Sequence, residues 1–241
     1  MHGGVLAIGS LYWCNHPSRV AWRSSHLSQA HECSVSVPIR YGRKSDSRGN
    51  TYTMVFSLLC LRRSHGLGVA KAIPLQTDVT TSAQLINEAE SMWAAECKLS
   101  QKRPALSSTW GCVALLINPD SAFPHHVLRQ WTTRVEREDN YGQISHTTSE
   151  RSVVSKDGCL CIPWPETIEG APLPLDFLLA TATNPTLSGH PPTYARAKVV
   201  ARAWKRDSAG NADYFWKTRA SGICTYQDDA LLLQLANPRS A

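Results

Sequence analysis

Gly4-Val5-Leu6-Ala7-Ile8-Gly9-Ser10-Leu11-Tyr12-Trp13 is the stretch on which the reading of this chain turns. Residues 5–8 form a short apolar run of the kind a buried strand shows, and Gly9-Ser10 breaks it. From about Pro17 a helical pattern begins, with proline suited to the first helical turn. Strand, Gly-Ser turn and helix together leave backbone N–H groups at the carboxyl end of the strand, where an anionic group can sit. A plain strand-to-helix turn has the same residues, so the segment needs a partner elsewhere in the chain before it is a site.

Outward from this stretch, 241 residues suffice for a substantial core and lie at the upper end for one domain. Hydrophobic residues at 42% and charged residues at 18% describe an ordinary globular chain, and eight tryptophans favour a single well-packed body over residues 1–241. The net charge of +6 is spread out, with local concentrations in 40–48 and 196–206. Nucleic-acid binders carry a denser basic stripe with interleaved aromatics. The charge therefore admits an anionic small ligand or an acidic protein partner without asking for nucleic acid. No basic segment precedes the first apolar run, and no stretch approaches about 18 uninterrupted apolar residues. The expectation is a cytoplasmic protein without a membrane span. The eight cysteines then read as reduced, packed thiols. Cys159-Leu160-Cys161 and His125-His126 lack the companion ligands of a metal centre, so no metal is expected.

Helical periodicity covers 17–29, 81–97, 125–136 and 194–205, whereas strand patterns cover 34–39, 51–59, 68–74, 110–117 and 176–182. Arg40 to Asn50 reads as a basic loop rich in turn formers. Thr81-Ser82-Ala83-Gln84 is a capping box opening the strongest helix of the first half. At about 100° per residue, Leu85, Ile86, Ala89, Met92, Trp93 and Cys97 share one arc of roughly 140°. Glu88 lies opposite, Glu90 sits at the arc's edge, and Glu96 lies within it but near enough to the helix end to bend into solvent. A carboxylate drawn toward an apolar face suits a general base, although the same placement fits a side chain reaching water or pairing with an arginine. Ala182-Thr183-Asn184-Pro185-Thr186 and Tyr214-Phe215-Trp216 suggest no chemistry and read as a structural turn and core aromatics.

The order of these features resembles the γ-glutamylcyclotransferase superfamily, in particular its ChaC-type branch. Ile8-Gly9-Ser10-Leu11-Tyr12-Trp13 stands for the family's Y-G-S-L-x-W, and Arg48-Gly49 with Met54-Val55-Phe56 for its R-G turn and strand. Gly68-Val69-Ala70 stands for the third element, and Ile86-Asn87-Glu88-Ala89-Glu90 for L-D-x-x-E. The similarity spans about residues 4–95; Ile8 replaces the motif tyrosine and Asn87 the motif aspartate. It implies an α+β fold, a mixed β-sheet or small β-barrel flanked by helices. A cyclotransferase-like core would occupy 1–117, with a family-specific extension at 118–241 packed on it.

The resemblance also implies a reaction. A γ-glutamyl amine or peptide releases 5-oxoproline when its own amine attacks its side-chain carbonyl. Glu90 takes the place of the general base, and Gly9, Ser10, Leu11, Tyr12 and Arg48 those of substrate-binding residues, with Arg40 or Arg43 able to add charge. Positioning dominates an intramolecular attack, so no cofactor is expected. The competing expectation is the same fold kept as an inactive binding or regulatory protein for an anionic ligand or acidic partner.

Overall fold

The structure, a computed structural model, describes residues 1–45, 51–62, 66–99, 105–141, 152–186, 193–206 and 211–236. Strand β1 (Gly3–Ala7) is followed by helices α1 (Ser10–Trp13) and α2 (Pro17–His26), then strands β2 (Cys33–Val37), β3 (Ile39–Ser45) and β4 (Thr51–Phe56). Next come α3 (Leu59–Arg62), β5 (Gly68–Pro74), α4 (Ser82–Glu96), β6 (Ser107–Ser108), β7 (Gly111–Ile117) and α5 (His125–Val135). The order closes with β8 (Phe177–Thr183), α6 (Thr193–Arg206), α7 (Asn211–Ala220) and α8 (Asp228–Ala236).

Six strands form one mixed sheet in the order β2-β5-β1-β8-β7-β6, and β3 pairs with β4 in a separate antiparallel ribbon. β1 runs antiparallel to β5 but parallel to β8, with Leu6 opposite Ala180. The fold is thus mixed α+β, as the periodicities indicate. The described strands do not close into the small barrel that the sequence left open: β2 and β6 are the edges of the sheet. Pro38 stands between β2 and β3. It has no N–H to give a ladder, and the chain leaves the large sheet there to begin the ribbon.

All of β1 is buried, and so are all of β4 and Gly111–Leu116 of β7. Strands covered on both faces read as continuous apolar runs, which is why residues 5–8 stand out in the sequence. β8 is drawn from the segment read as an added extension, yet it lies inside the sheet between β1 and β7. The expected basic loop is instead largely β3. Arg40 is buried there, donating from Nε to Ser57 Oγ at 3.1 Å and from Nη1 to the Tyr41 carbonyl at 3.2 Å.

Helix α4 begins with the capping box expected of it. Thr81 Oγ1 accepts from Gln84 N at 3.2 Å, and Gln84 Oε1 accepts from Thr81 N at 3.1 Å. Leu85, Ala89, Met92 and Trp93 face the core from α4, which packs with α2, α5, β7 and β8. α6 and α7 lie against β4, and α8 packs on α6. All eight cysteines are free. No helix among the described residues is long and apolar enough to cross a membrane.

Asp228 opens α8 from a buried position, its Oδ1 accepting from Thr225 N at 2.8 Å and Thr225 Oγ1 at 2.7 Å. Burial raises its carboxyl above the ordinary 3.8, more than those hydrogen bonds and Arg219 lower it. The stability a raised carboxyl contributes is complete below its unfolded value and is lost as pH rises through the folded one. Asn at this position keeps the oxygen acceptor and removes the charge. D228N is therefore expected to gain melting temperature relative to wild type between pH 4 and pH 7. A difference between the two proteins that stays constant across that range, followed by calorimetry, would refute the charge as the cause.

Candidate functional site

β1 delivers the chain to Ile8 and Gly9, and α1 starts at Ser10. The turn is closed by Tyr12 N donating to the Gly9 carbonyl and Cys14 N to the Ser10 carbonyl, both at 2.9 Å. Gly9 is extended, with φ of 179°, so no backbone strain selects glycine there. Space does: a Cβ on Gly9 would run into the hydroxyl of Tyr214, which reaches the turn from α7.

Two arginines of α2 fix this turn from behind. Arg23 donates to the Leu11 carbonyl at 2.8 Å and the Cys14 carbonyl at 3.0 Å, and burial lowers its pKa. Arg19, only 1% exposed, donates from Nη1 to Ser10 Oγ at 2.8 Å. Its Nε and Nη2 reach the Ala95 carbonyl at 3.2 Å and the Glu96 carbonyl at 3.0 Å. Those carbonyls belong to the last turn of α4, where helix geometry leaves them without intrahelical partners and the dipole favours a cation.

Arg19 Nη2 also lies 3.0 Å from Glu96 Oε2. No N–H is aligned on that oxygen, so Glu96 Oε2 is buried in an ion pair yet accepts no hydrogen bond. Glu96 does not bend into solvent as its place at the helix end suggested. Its side chain is 13% exposed and turns inward. Burial, with Glu96 second, pushes the neighbouring Cys97 thiol up to about 11, which leaves it a poor nucleophile.

Glu96 and residues Ile8 to Leu11 line one cavity of about 50 Å³. β1 adds Leu6 and Ala7, β4 adds Thr53 and Met54, β8 adds Thr181 and Thr183, and α7 adds Tyr214. The cavity thus sits at the carboxyl ends of the parallel pair β1 and β8, where open sheets commonly take ligands. Thr53 Oγ1 donates to the Arg43 carbonyl at 3.3 Å, and Met54 N donates to Tyr214 Oη at 3.4 Å. The Thr181 and Thr183 hydroxyl oxygens are buried without hydrogen-bond partners.

Of the residues the sequence proposes, Gly9, Ser10 and Leu11 come together at this cavity, and Glu90 is not among those lining it. Glu90 is buried between α4 and α5, accepting from Arg134 Nε at 3.3 Å and Nη2 at 3.2 Å. Burial works against the Arg134 charge, but hydrogen bonds and charges from Glu138 and Glu90 outweigh it and raise the guanidinium pKa. Glu138 continues the chain to Ser107 Oγ at 2.7 Å and Leu106 N at 3.2 Å.

Tyr12 points elsewhere. Its hydroxyl donates to both Glu32 oxygens at 2.9 Å, and Glu32 pairs with Lys71 at 3.1 Å. Burial first, then Glu32, pushes Tyr12 up to about 12. Arg48 lies outside the described residues. Arg43 Nη1 donates to the carbonyls of Trp110 at 3.3 Å and Asn184 at 3.2 Å, with the guanidinium over the Trp110 ring.

Sequence reasoning missed Arg19, Thr181 and Thr183 and gave Glu96 to solvent; Tyr214 belongs to an aromatic cluster read as core. The available signal was Arg19 and Arg23 four residues apart on one face of a helix directly after the turn. Among the described residues no three His, Cys, Asp or Glu side chains gather as a metal would require. No protein-family model, no curated protein and no solved structure matches the chain.

Replacing Arg19 by Met removes the charge beside Glu96 and leaves Ser10 Oγ and two α4 carbonyls without their donor. Breaking a buried pair in this way costs about 3–5 kcal/mol. R19M is expected to lose that much in urea unfolding, and R19M/E96L to regain part of it. A double variant no more stable than R19M would show that Glu96 is not what Arg19 compensates.

Proposed function

We propose that this chain is a γ-glutamylcyclotransferase-like enzyme in which Glu96, rather than Glu90, is the general base. The observation that carries the reading is that Glu96 shares a cavity with the Gly9-Ser10-Leu11 turn. Together with the resemblance of residues 8–13 to the family's first motif, this supports a small γ-glutamyl amine or peptide as substrate. The eight free thiols fit a reducing compartment such as the cytoplasm.

In this reading the substrate's ammonium group loses a proton to Glu96. The nitrogen electron pair then attacks the side-chain carbonyl carbon, and the ring C–N bond forms as an oxyanion develops. The first amides of a helix have no intrahelical partner, and those of Ser10 and Leu11 are the donors assigned to that oxyanion. Collapse breaks the original amide C–N bond as the departing nitrogen takes the proton back from Glu96, and the ring nitrogen gives its remaining extra proton to solvent. The products are 5-oxoproline and a free amine. Positioning supplies most of the acceleration, since nucleophile and electrophile belong to one molecule.

A second reading is supported by the Arg19–Glu96 ion pair, which holds the carboxylate in place and fits a binding protein as well as a base. It shares the ligand and omits the turnover.

The assay is 5-oxoproline release from a panel of γ-glutamyl amines and dipeptides. E96Q is expected to lower kcat/KM by about 10²–10⁴, while E90Q keeps the wild-type rate. If wild type releases nothing from any substrate, or if E96Q matches it, the catalytic reading is overturned. Retention of a γ-glutamyl amine without release would leave the binding reading in its place.

A further inference from the structure

We infer that Cys159 and Cys161 form a reversible dithiol–disulfide site, which glutathione disulfide oxidises by way of Cys161. The inference is independent of the γ-glutamyl reading and of the cavity.

The two cysteines lie on the second arm of a tight hairpin. Ser155 N donates to the Cys159 carbonyl at 2.9 Å, and Cys161 N to the Val153 carbonyl at 2.7 Å. The turn between the arms ends at Gly158, whose φ of 76° suits glycine. The second arm also docks on β7, with Leu115 N donating to the Gly158 carbonyl at 2.9 Å and Leu160 N to the Leu115 carbonyl at 2.8 Å. Leu160 is buried in the core. Side chains alternate along an extended arm, which puts Cys159 and Cys161 together on the opposite face.

Ser155 and the backbone draw the two thiols toward one place. Cys161 Sγ turns back on the Cys159 carbonyl, at 3.5 Å. Ser155 hydrogen-bonds both thiols, Cys159 through its hydroxyl and Cys161 through its backbone N–H. Residues two apart on an extended arm have Cα atoms about 6–7 Å apart, the upper end of the range a disulfide spans. Closing the remaining distance falls to Cys161, which lies beyond the bridge of Val154 with Leu160. Among the described residues no group of three His, Cys, Asp or Glu side chains suits a metal, so the chemistry of the pair is that of two thiols.

Access sets the order of events. Cys161 is exposed, whereas the other seven cysteines are buried or half-buried. Burial raises both thiols above the ordinary 9.0, Asp157 adds to this, and the hydrogen bonds from Ser155 oppose it. The thiolate is the attacking form, so the first step is slow at neutral pH and belongs to the thiol within reach. The Cys161 thiolate attacks one sulfur of glutathione disulfide. That S–S bond breaks, and one glutathione leaves with the electron pair and takes up a proton. Cys159 then attacks the Cys161 sulfur of the mixed disulfide, and the second glutathione leaves in the same way. The pair has lost two electrons and two protons, all taken up by the two glutathione thiols. The second step joins groups of one molecule and so runs ahead of any further encounter. A disulfide at the limit of its reach on an exposed arm is of the labile kind, and reduced glutathione in excess returns the dithiol.

Both cysteines, and no others, lie in the tryptic peptide 157–196. The test incubates the folded full-length protein with glutathione disulfide, quenches it with an alkylating agent and maps it by mass spectrometry. Wild type is expected to yield that peptide unalkylated and short of two hydrogens, and to yield it doubly alkylated once reduced glutathione has been added. C159S is expected to accumulate one glutathione on Cys161, and C161S to react about tenfold more slowly at Cys159. The proposal is overturned if wild type keeps both thiols open to alkylation, if it stops at the mixed disulfide, or if C161S reacts as fast as C159S.

Discussion

The guanidinium of Arg19 is the interaction on which the site and its surroundings depend. A charge that is 1% exposed is costly unless its donors are occupied. Here they bind a hydroxyl of the β1–α1 turn and two terminal carbonyls of α4, with a carboxylate alongside. One side chain thus ties α2, the turn and the end of α4, elements separated by nearly eighty residues of chain. The same contacts set the cavity, because they decide where Ser10 and Glu96 stand relative to each other. Arg23 repeats the device one helical turn on, gripping the Leu11 and Cys14 carbonyls. Backbone carbonyls in a buried turn need partners, and two arginines supply them where no strand or helix does.

The second constraint is the parallel pairing of β1 with β8. Parallel neighbours need a crossover, and this one spans most of the chain, including β5, β7 and α4. The cavity at the carboxyl ends of the pair consequently takes its walls from both halves: the turn and β4 from the first, Thr181, Thr183 and Tyr214 from the second. A reading that confines the site to residues 4–95 cannot assemble it. It also explains the two segments that suggested no chemistry, since Thr183 belongs to one and Tyr214 to the other.

Local elements were legible because their signals are local. The capping box at Thr81, proline at the head of α2 and the apolar runs of β1 and β7 each specify an element without reference to the rest of the chain. β3 was not legible, since Arg40, Arg43 and Lys44 give it the composition of a solvated loop. Burial of Arg40 is made acceptable by Ser57 and the Tyr41 carbonyl, partners that sequence spacing does not display. Glu88 shows the same limit from the other side. Its position opposite the apolar arc suggests solvent, yet it is half-buried against His26, with Nδ1 and Oε2 2.7 Å apart. A helical wheel ranks faces by apolar content and does not see a second helix bringing an imidazole to the polar one.

Glu90 and Glu96 differ in what burial alone does not reveal. Both are carboxylates on α4, both are mostly buried, and both stand beside an arginine. Glu90 belongs to a chain of donors and acceptors running through Arg134 and Glu138 to Ser107 Oγ and Leu106 N, the pattern of a group whose task is to join α4 to α5 and β6. Glu96 is one of the residues that line the cavity, and its Oε2 stands beside the Arg19 guanidinium without a hydrogen bond. A fold gains by satisfying its buried polar atoms. A carboxylate tied into such a chain is accounted for by the fold itself, whereas one that an arginine holds at a cavity's edge is placed where a ligand can meet it. The family pattern locates a catalytic carboxylate by its spacing from Leu and Asp. In this chain a place in the cavity lining, rather than the spacing, distinguishes the two glutamates.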